Sequence, residues 1–123
     1  MTRNPVGWFE IYVQDMNRAQ KFYETVLGLT LQKLDSPDIE MMAFPMAQEA
    51  TGAAGALAKM PDFPSGGNSV LVYFVCEDCA VEAGRVVSAG GRVQREKTSI
   101  GQYGFIVLAI DTEGNMFGLH SMK

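Results

Sequence analysis

Two stretches of the chain each predict a β-strand that is followed by an α-helix. In the first, every second residue from Phe9 to Val13 is apolar, which predicts a strand over 8–13 with one face against a helix. Apolar residues then recur at helical spacing, namely Ala19, Phe22, Tyr23, Val26 and Leu27. Because Asp15 can cap this segment and Gly28 can end it, the pattern predicts an α-helix between them.

The second half of the chain predicts the same order of elements. An apolar run over 70–75 predicts a strand, and a weaker helical pattern from about 78 to 89 ends at Gly90. Further strands are predicted over 92–95, 104–110 and 116–121, with a hairpin turn at Asp111–Asn115. Each half therefore predicts a βαβββ module.

A single offset relates the two halves. When Val13 is aligned with Val75, 62 positions later, Gly28 falls on Gly90. At 123 residues the chain is too short for two independent cores, so both copies must share one. We predict an α+β protein with one domain over 1–123, consisting of a first module at about 5–60, a Pro- and Gly-rich linker at about 61–67 and a second module at about 68–122.

Strand alternation also predicts which side chains face a cleft. Those of the first module are Trp8, Glu10 and Tyr12 on its first strand, and His120 of the last strand lies on the same side as Glu10. At the offset of 62, the second module contributes Val70, Val72 and Phe74. An apolar and aromatic cleft with few polar groups is typical of a site for a small organic molecule.

Composition excludes several other functions. The net charge is -4 and the Lys and Arg residues are dispersed, so nucleic acid is not an expected partner. No apolar run reaches the ~18 residues that would span a membrane. The N-terminus lacks the apolar stretch of a secretory signal, and we therefore expect a cytoplasmic protein.

Cys76 and Cys79 form a C-x-x-C pair. This spacing occurs in redox pairs and in half of a zinc site, although zinc would need two further ligands. The alternative is two small buried residues at a junction between strand and helix. The sequence does not decide between these roles.

Several motifs together resemble one known superfamily. They are the strand-end Asp15, the A-x-x-F-Y helix from Ala19 to Tyr23, Gly28 at its end and the D-x-E-G-N turn at Asp111–Asn115. With the tandem modules, they resemble the vicinal oxygen chelate superfamily of glyoxalase I, bleomycin-resistance proteins and extradiol dioxygenases. The resemblance implies two tandem βαβββ modules that form a curved mixed sheet around a cleft. The chain ends look like a bacterial glyoxalase-related subgroup without an assigned reaction.

Metal-using members of that superfamily take their ligands from the first and last strand of each module. By strand position these sites fall on residues whose side chains cannot bind a divalent metal, namely Trp8, Ala56, Val70 and Gly118. A shift of two residues brings in Glu10 and His120, still short of three or four ligands. We therefore predict no cofactor, and a divalent metal held by unidentified ligands is the alternative.

The polar residues of the predicted cleft each have two interpretations. Glu10 and His120 would act as an acid/base pair, or would only satisfy each other's hydrogen bonds, or His120 would face solvent at a strand end. Trp8 would stack on a ligand or fill the space of a metal, and Tyr12 would donate its hydroxyl to a ligand or pack in the core. Tyr103 lies in a Gly-flanked loop that would act as a lid or merely turn the chain.

The leading hypothesis is a metal-free binding protein for a small, partly apolar molecule, with Trp8, Tyr12, Phe74 and Tyr103 as ligand contacts. Whether it also turns the ligand over is left open. One alternative is a glyoxalase-like lyase or isomerase, or a dioxygenase-type enzyme, that uses Glu10 and His120. Another is a resistance protein that sequesters a drug. The resemblance, together with an open sheet edge that needs cover, also implies a homodimer.

Overall fold

Two βαβββ modules make up this protein in a computed structural model, which describes residues 4–37, 39–47 and 49–123. The first contains β1 (Trp8–Tyr12), α1 (Met16–Leu27), β2 (Gln32–Leu34), β3 (Glu40–Ala43) and β4 (Ala54–Lys59). The second contains β5 (Tyr73–Val75), α2 (Cys79–Val86), β6 (Arg92–Ser99), a 3-10 turn (Gly101–Tyr103), β7 (Phe105–Ile110) and β8 (Met116–Ser121). The predicted α+β class and the two modules are confirmed.

Each module folds into a separate four-stranded sheet that stays open. The strand orders are β1-β4-β3-β2 and β5-β8-β7-β6, so β1 and β5 are edge strands in equivalent positions. The first and last strands of each module pair in parallel, and the remaining pairs are antiparallel. A parallel pair needs a crossover connection, which the rest of the module provides.

Both helices begin at an aspartate. Asp15 accepts a hydrogen bond from the backbone N–H of Arg18 at 3.0 Å, and Asp78 accepts one from Ala80 at 3.0 Å. α1 ends at Gly28, whose φ of 67° lies in the left-handed region that glycine adopts without strain. Among the described residues, no helix is both long and apolar enough to cross a membrane.

The hydrophobic core contains side chains from both modules. Phe22 and Tyr23 of α1 are almost fully buried and meet Phe117 of β8, with ring centroids 5.8 Å and 5.4 Å apart. Edge-to-face and tilted contacts of this kind add to the stabilisation from burial. The aromatic residues of α1 therefore join the first module to the second.

The offset of 62 predicted for the first strands is wrong by one residue. The helix caps Asp15 and Asp78 are 63 positions apart. Likewise the N–H of Val13 donates to Ala58 at 2.9 Å and the N–H of Cys76 donates to His120 at 2.7 Å. The offset of 62 does hold between Ala58 and His120, so the second module has lost one residue between its helix cap and Gly90.

This correction turns β5 over, because side chains alternate between the two faces of a strand. Phe74 pairs with Leu119, which is fully buried under the helices, so its ring packs into the core instead of facing the cleft. Tyr73 and Val75 take the outer face, with 43% and 89% of their surface exposed. The predicted position of Phe74 in the cleft is therefore wrong.

Candidate functional site

A cavity of about 210 Å³ lies between β1 and the segment that precedes β5. Glu10, Ile11 and Tyr12 of β1 form one wall. Val70, Val72 and Met116 of the second module form the other, and linker residues close one side. Apolar walls with a few polar groups are typical of sites for small molecules.

Alternation along β1 places Trp8, Glu10 and Tyr12 on one face, where the two aromatic residues hold the carboxylate between them. The Tyr12 hydroxyl donates to Glu10 Oε1 at 2.7 Å, and the Trp8 indole N–H donates to Glu10 Oε2 at 3.2 Å. The hydrogen bond to Glu10 raises the pKa of Tyr12, and burial and the charge of Glu10 raise it further. Tyr12 therefore remains a donor, and Glu10 is held in one orientation.

The linker and the first residues after it form part of the cavity wall. Phe63 stacks on Tyr12 with ring centroids 5.0 Å apart. The side-chain amide of Asn68 donates to the carbonyl oxygens of Val70 and Met116 at 2.7 Å and 3.1 Å. Backbone oxygens therefore already engage the amide donors of Asn68. Among the described residues that line the cavity, Glu10 is the charged one.

The D-x-E-G-N turn, Asp111–Asn115, fastens the two modules together beside this cavity. Asp111 accepts a hydrogen bond of 2.6 Å from the Tyr23 hydroxyl, and Asn115 donates to the carbonyl of Tyr12 at 2.9 Å. Asn115 also accepts from the N–H of Gly66 at 2.6 Å. Burial raises the pKa of Asp111, although the hydrogen bonds from Tyr23 and from neighbouring N–H groups oppose the rise. Sequence reasoning identified this turn as a hairpin and missed its contacts with β1, α1 and the linker.

Glu113 of the same turn binds the backbone that directly precedes α1 of the other module. Its buried carboxylate accepts from the N–H groups of Gln14 and Asp15 at 2.9 Å each, from the Arg18 guanidinium at 2.7 Å and 3.0 Å, and from the Thr112 hydroxyl at 2.9 Å. Burial opposes its ionisation, but these donors outweigh burial and lower its pKa to about 2. The turn therefore holds the start of α1, and with it the end of β1, against the second module.

Only part of the predicted site comes together. Trp8, Glu10 and Tyr12 adjoin one another, whereas His120 bonds through Nε2 to the carbonyl of Tyr103 at 2.7 Å. His120 lies four residues along β8 from the cavity residue Met116, roughly 13 Å at the rise of an extended strand. Among the described residues no hydrogen bond joins Glu10 to His120, so the predicted pair is not formed within this chain.

Tyr103, like His120, lies away from the cavity beside β1. It belongs to the 3-10 turn before β7, and 66% of its surface is exposed. Its backbone, held by His120, lies with the outer face of the second sheet and does not line the cavity. As a lid or ligand contact of that cavity it receives no support from this geometry.

The positions that correspond to metal ligands in the resembled superfamily do not fit a metal. After the correction of the register, Leu71 and not Val70 corresponds to Trp8, and leucine has no donor atom. At Gly118 the ring of Tyr73 occupies the space that a side chain would need. Across residues 4–37, 39–47 and 49–123, no three His, Cys, Asp or Glu side chains cluster as potential ligands.

Cys76 and Cys79 are both buried and unlinked. Cys76 follows β5 and Cys79 begins α2, which is the predicted junction of strand and helix. Burial, followed by the charge of Glu82, raises the pKa of Cys76 to about 12. Because the thiolate is the reactive form of cysteine, this environment disfavours redox chemistry at Cys76.

A second, wider groove of about 600 Å³ lies beside β2 and the end of β4. Its lining includes charged residues of both signs, among them Lys33, Asp35, Glu40 and Lys59. It is more open to solvent than the cavity beside β1. We assign the candidate site to the smaller cavity because a less open and more apolar space retains a small molecule better than an open polar one.

Comparison with known proteins agrees with this architecture. Residues 6–45 match the family model described as bleomycin resistance protein-like N-terminal. The protein named "Putative glyoxylase CFP32" of Mycobacterium tuberculosis is 28% identical over 112 residues, which cover 91% of this chain and 42% of that protein. The chain thus spans less than half the length of this curated relative.

Solved structures share the fold. Glyoxalase I from Zea mays superposes with a TM-score of 0.74 at 23% identity, covering 95% of this chain and 46% of that one. TnmS3, an antibiotic binding protein from Streptomyces sp. CB03234, gives a TM-score of 0.72 at 21% identity, covering 100% of this chain and 99% of that one. At these identities the likeness demonstrates the fold alone.

Proposed function

We propose that this chain is a member of the vicinal oxygen chelate superfamily, whose fold it shares, and that it binds a small, partly apolar organic molecule in the cavity beside β1. The observation that carries the proposal is a carboxylate held by two aromatic side chains at a largely apolar wall. Such a group orients a ligand at low entropic cost, because its own side chain is already fixed.

The size of the cavity limits the occupant. At about 210 Å³ it is smaller than the ~300–1,000 Å³ usual for drug-sized ligands, so we expect one substituted ring inside it. A larger ligand would extend past Trp8, which is 39% exposed. The bound molecule would therefore be held at one end and solvated at the other.

Binding without turnover is the form of this function that we favour. Glu10 and His120 have separate hydrogen-bond partners, which argues against direct proton transfer between them within one chain. The similarity in fold to an antibiotic binding protein supports sequestration as the biological role. Sequestration requires only that the ligand be bound and partly shielded from solvent, and this is the role that we propose for the cavity.

Titration with one-ring aromatic compounds should quench or shift the fluorescence of Trp8, the only tryptophan of the chain. Val72→Phe fills the cavity and should weaken binding at least about tenfold, since the added ring occupies the ligand's space. Isothermal titration calorimetry measures the affinity of the compound for the wild-type chain and for the variant. Val87→Phe is the matched control, because Val87 follows α2, is 67% exposed and should leave the affinity unchanged. Equal affinities in both variants would place the ligand outside this cavity.

We further propose a homodimer in which the outer face of the second sheet is covered by another copy. Leu71, Tyr73 and Val75 expose 37%, 43% and 89% of their surfaces on or beside the edge strand β5. Exposed apolar edges of this kind promote association. The same face carries His120, which pairs with Val75, so a partner would also cover this histidine.

Sedimentation at micromolar concentration should give the mass of a dimer for the wild-type chain. Val75→Lys should give a monomer, because a lysine on this face would be desolvated in the interface. Val87→Lys, at an exposed position after α2, should leave the dimer intact. A monomeric wild-type chain would refute the proposal.

A further inference from the structure

We propose that Glu10 makes the cavity selective for ligands that carry a positively charged nitrogen beside their apolar ring. This inference rests on the proposed binding function and names the chemical class of the ligand. Its basis is the charge of the cavity wall, the orientation of the carboxylate and the aromatic groups around it.

The charge of Glu10 is unmatched. Among the described residues that line the cavity, Glu10 alone carries a charge, and no described Lys, Arg or His forms an ion pair with it. Glu113 shows the contrast, since its buried carboxylate is paired with Arg18 at 2.7 Å. The carboxylate at the cavity therefore lacks the compensation that the same group has elsewhere in this chain.

Covering an unmatched carboxylate removes water from it. A neutral ring over Glu10 would cost hydration without replacing it, and an anionic ligand would add repulsion. An ammonium group would offset that cost through a charge-assisted hydrogen bond. The net charge of -4 also favours the approach of a cation and disfavours an anion.

The geometry leaves room for such a bond. Each oxygen of Glu10 accepts one hydrogen bond, from Tyr12 or from Trp8, and a carboxylate oxygen can accept about two. The same two aromatic side chains hold the carboxylate in place through their N–H and O–H groups, so it accepts a third hydrogen bond without reorienting. Val70, Val72 and Met116 provide the apolar surface for the ring of the ligand.

Three probes that share a phenyl ring test the selectivity: phenethylamine, 2-phenylethanol and 3-phenylpropanoate. We expect the amine to bind at least about tenfold more tightly than the alcohol, and the propanoate to bind most weakly, as measured by calorimetry and Trp8 fluorescence. Glu10→Gln should reduce amine affinity to that of the alcohol. Glu77→Gln is the control, because it changes the net charge equally at a side chain that is 90% exposed.

The ligand series in the wild-type protein keeps the test independent of how well the variant folds. If the alcohol and the amine bind the wild type equally, or if Glu10→Gln leaves amine binding intact, selectivity for a cation is overturned while binding in the cavity stands. If none of the three probes binds, both the selectivity and the proposed binding function fail. Equal losses in Glu10→Gln and Glu77→Gln would mean a general charge effect and would overturn the role of Glu10.

Discussion

Replacing Glu113 with glutamine should lower the free energy of unfolding by about 3 kcal/mol at pH 7, near the lower end of what breaking a buried ion pair costs. The amide cannot accept from Arg18 and from the N–H groups of Gln14 and Asp15 as a carboxylate does. The cost stays near the lower end because Arg18 is half exposed, so its guanidinium regains water. For a domain of this size the melting temperature should fall by roughly 10 °C.

The effect should depend on pH in a defined direction. The pKa of Glu113 is about 2 in the folded chain against an ordinary 4.5, so its stabilisation is present above 4.5 and is lost as the pH falls towards 2. The stability difference between wild type and Glu113→Gln should therefore shrink between pH 4.5 and pH 2. Asp111, whose pKa is raised by burial, acts in the opposite sense but is common to both proteins.

Urea unfolding at pH 7 and pH 3, followed by circular dichroism, measures this difference. Glu77→Gln provides the control, since its side chain is 90% exposed and surface substitutions change stability by only about 0.5 kcal/mol. A difference between wild type and Glu113→Gln that is the same at pH 3 as at pH 7 would contradict the assigned role of the carboxylate.

The second large effect is expected at Phe74. Phe74→Ala should lower the free energy of unfolding by about 3 kcal/mol, the cost of removing a large aromatic ring from a core. The ring of Phe74 lies 5.4 Å from Phe44, 5.9 Å from Tyr23, 6.0 Å from Phe117 and 6.1 Å from Phe9 between centroids. Their mutual contacts cannot be restored by solvent.

Val75→Ala is the matched comparison, one residue away on the opposite face of the same strand. Val75 is 89% exposed, so this change should cost less than about 0.5 kcal/mol in a dilute monomeric sample. Thermal and urea unfolding of both variants measure how much each change lowers the free energy of unfolding. A Phe74→Ala variant as stable as Val75→Ala would mean that Phe74 faces outward and that the corrected register is wrong.

The difference between β1 and β5 explains why one register was predicted correctly and the other was not. In β1 the polar Glu10 interrupts an apolar pattern, so only one assignment of faces buries the apolar residues. In the second module every residue over 70–75 is apolar or aromatic, so either face would serve as the core face. Alternation carries no information there, and the choice depended on an offset that one lost residue had changed.

Part of the candidate site was likewise predictable from the sequence and part was not. Trp8 and Tyr12 are two residues from Glu10 on the same strand, so their shared face follows from the geometry of a β-strand and was predictable. The separation of His120 from Glu10 was not predictable from the sequence, because it depends on how two open sheets are placed relative to each other. The same holds for the linker, whose Phe63 stacks on Tyr12.

The sequence by itself determined the two modules, their helices and the face of β1, because each follows from contacts within a few residues. Periodicity, the cap at Asp15 and the stop at Gly28 are local features of this kind. Only the tertiary structure decided that Glu113 pairs with Arg18 across 95 positions, that Phe74 lies in the core and that the cavity opens beside β1. Those outcomes depend on which faces the two modules bury against each other, and packing between distant segments leaves no period in the chain.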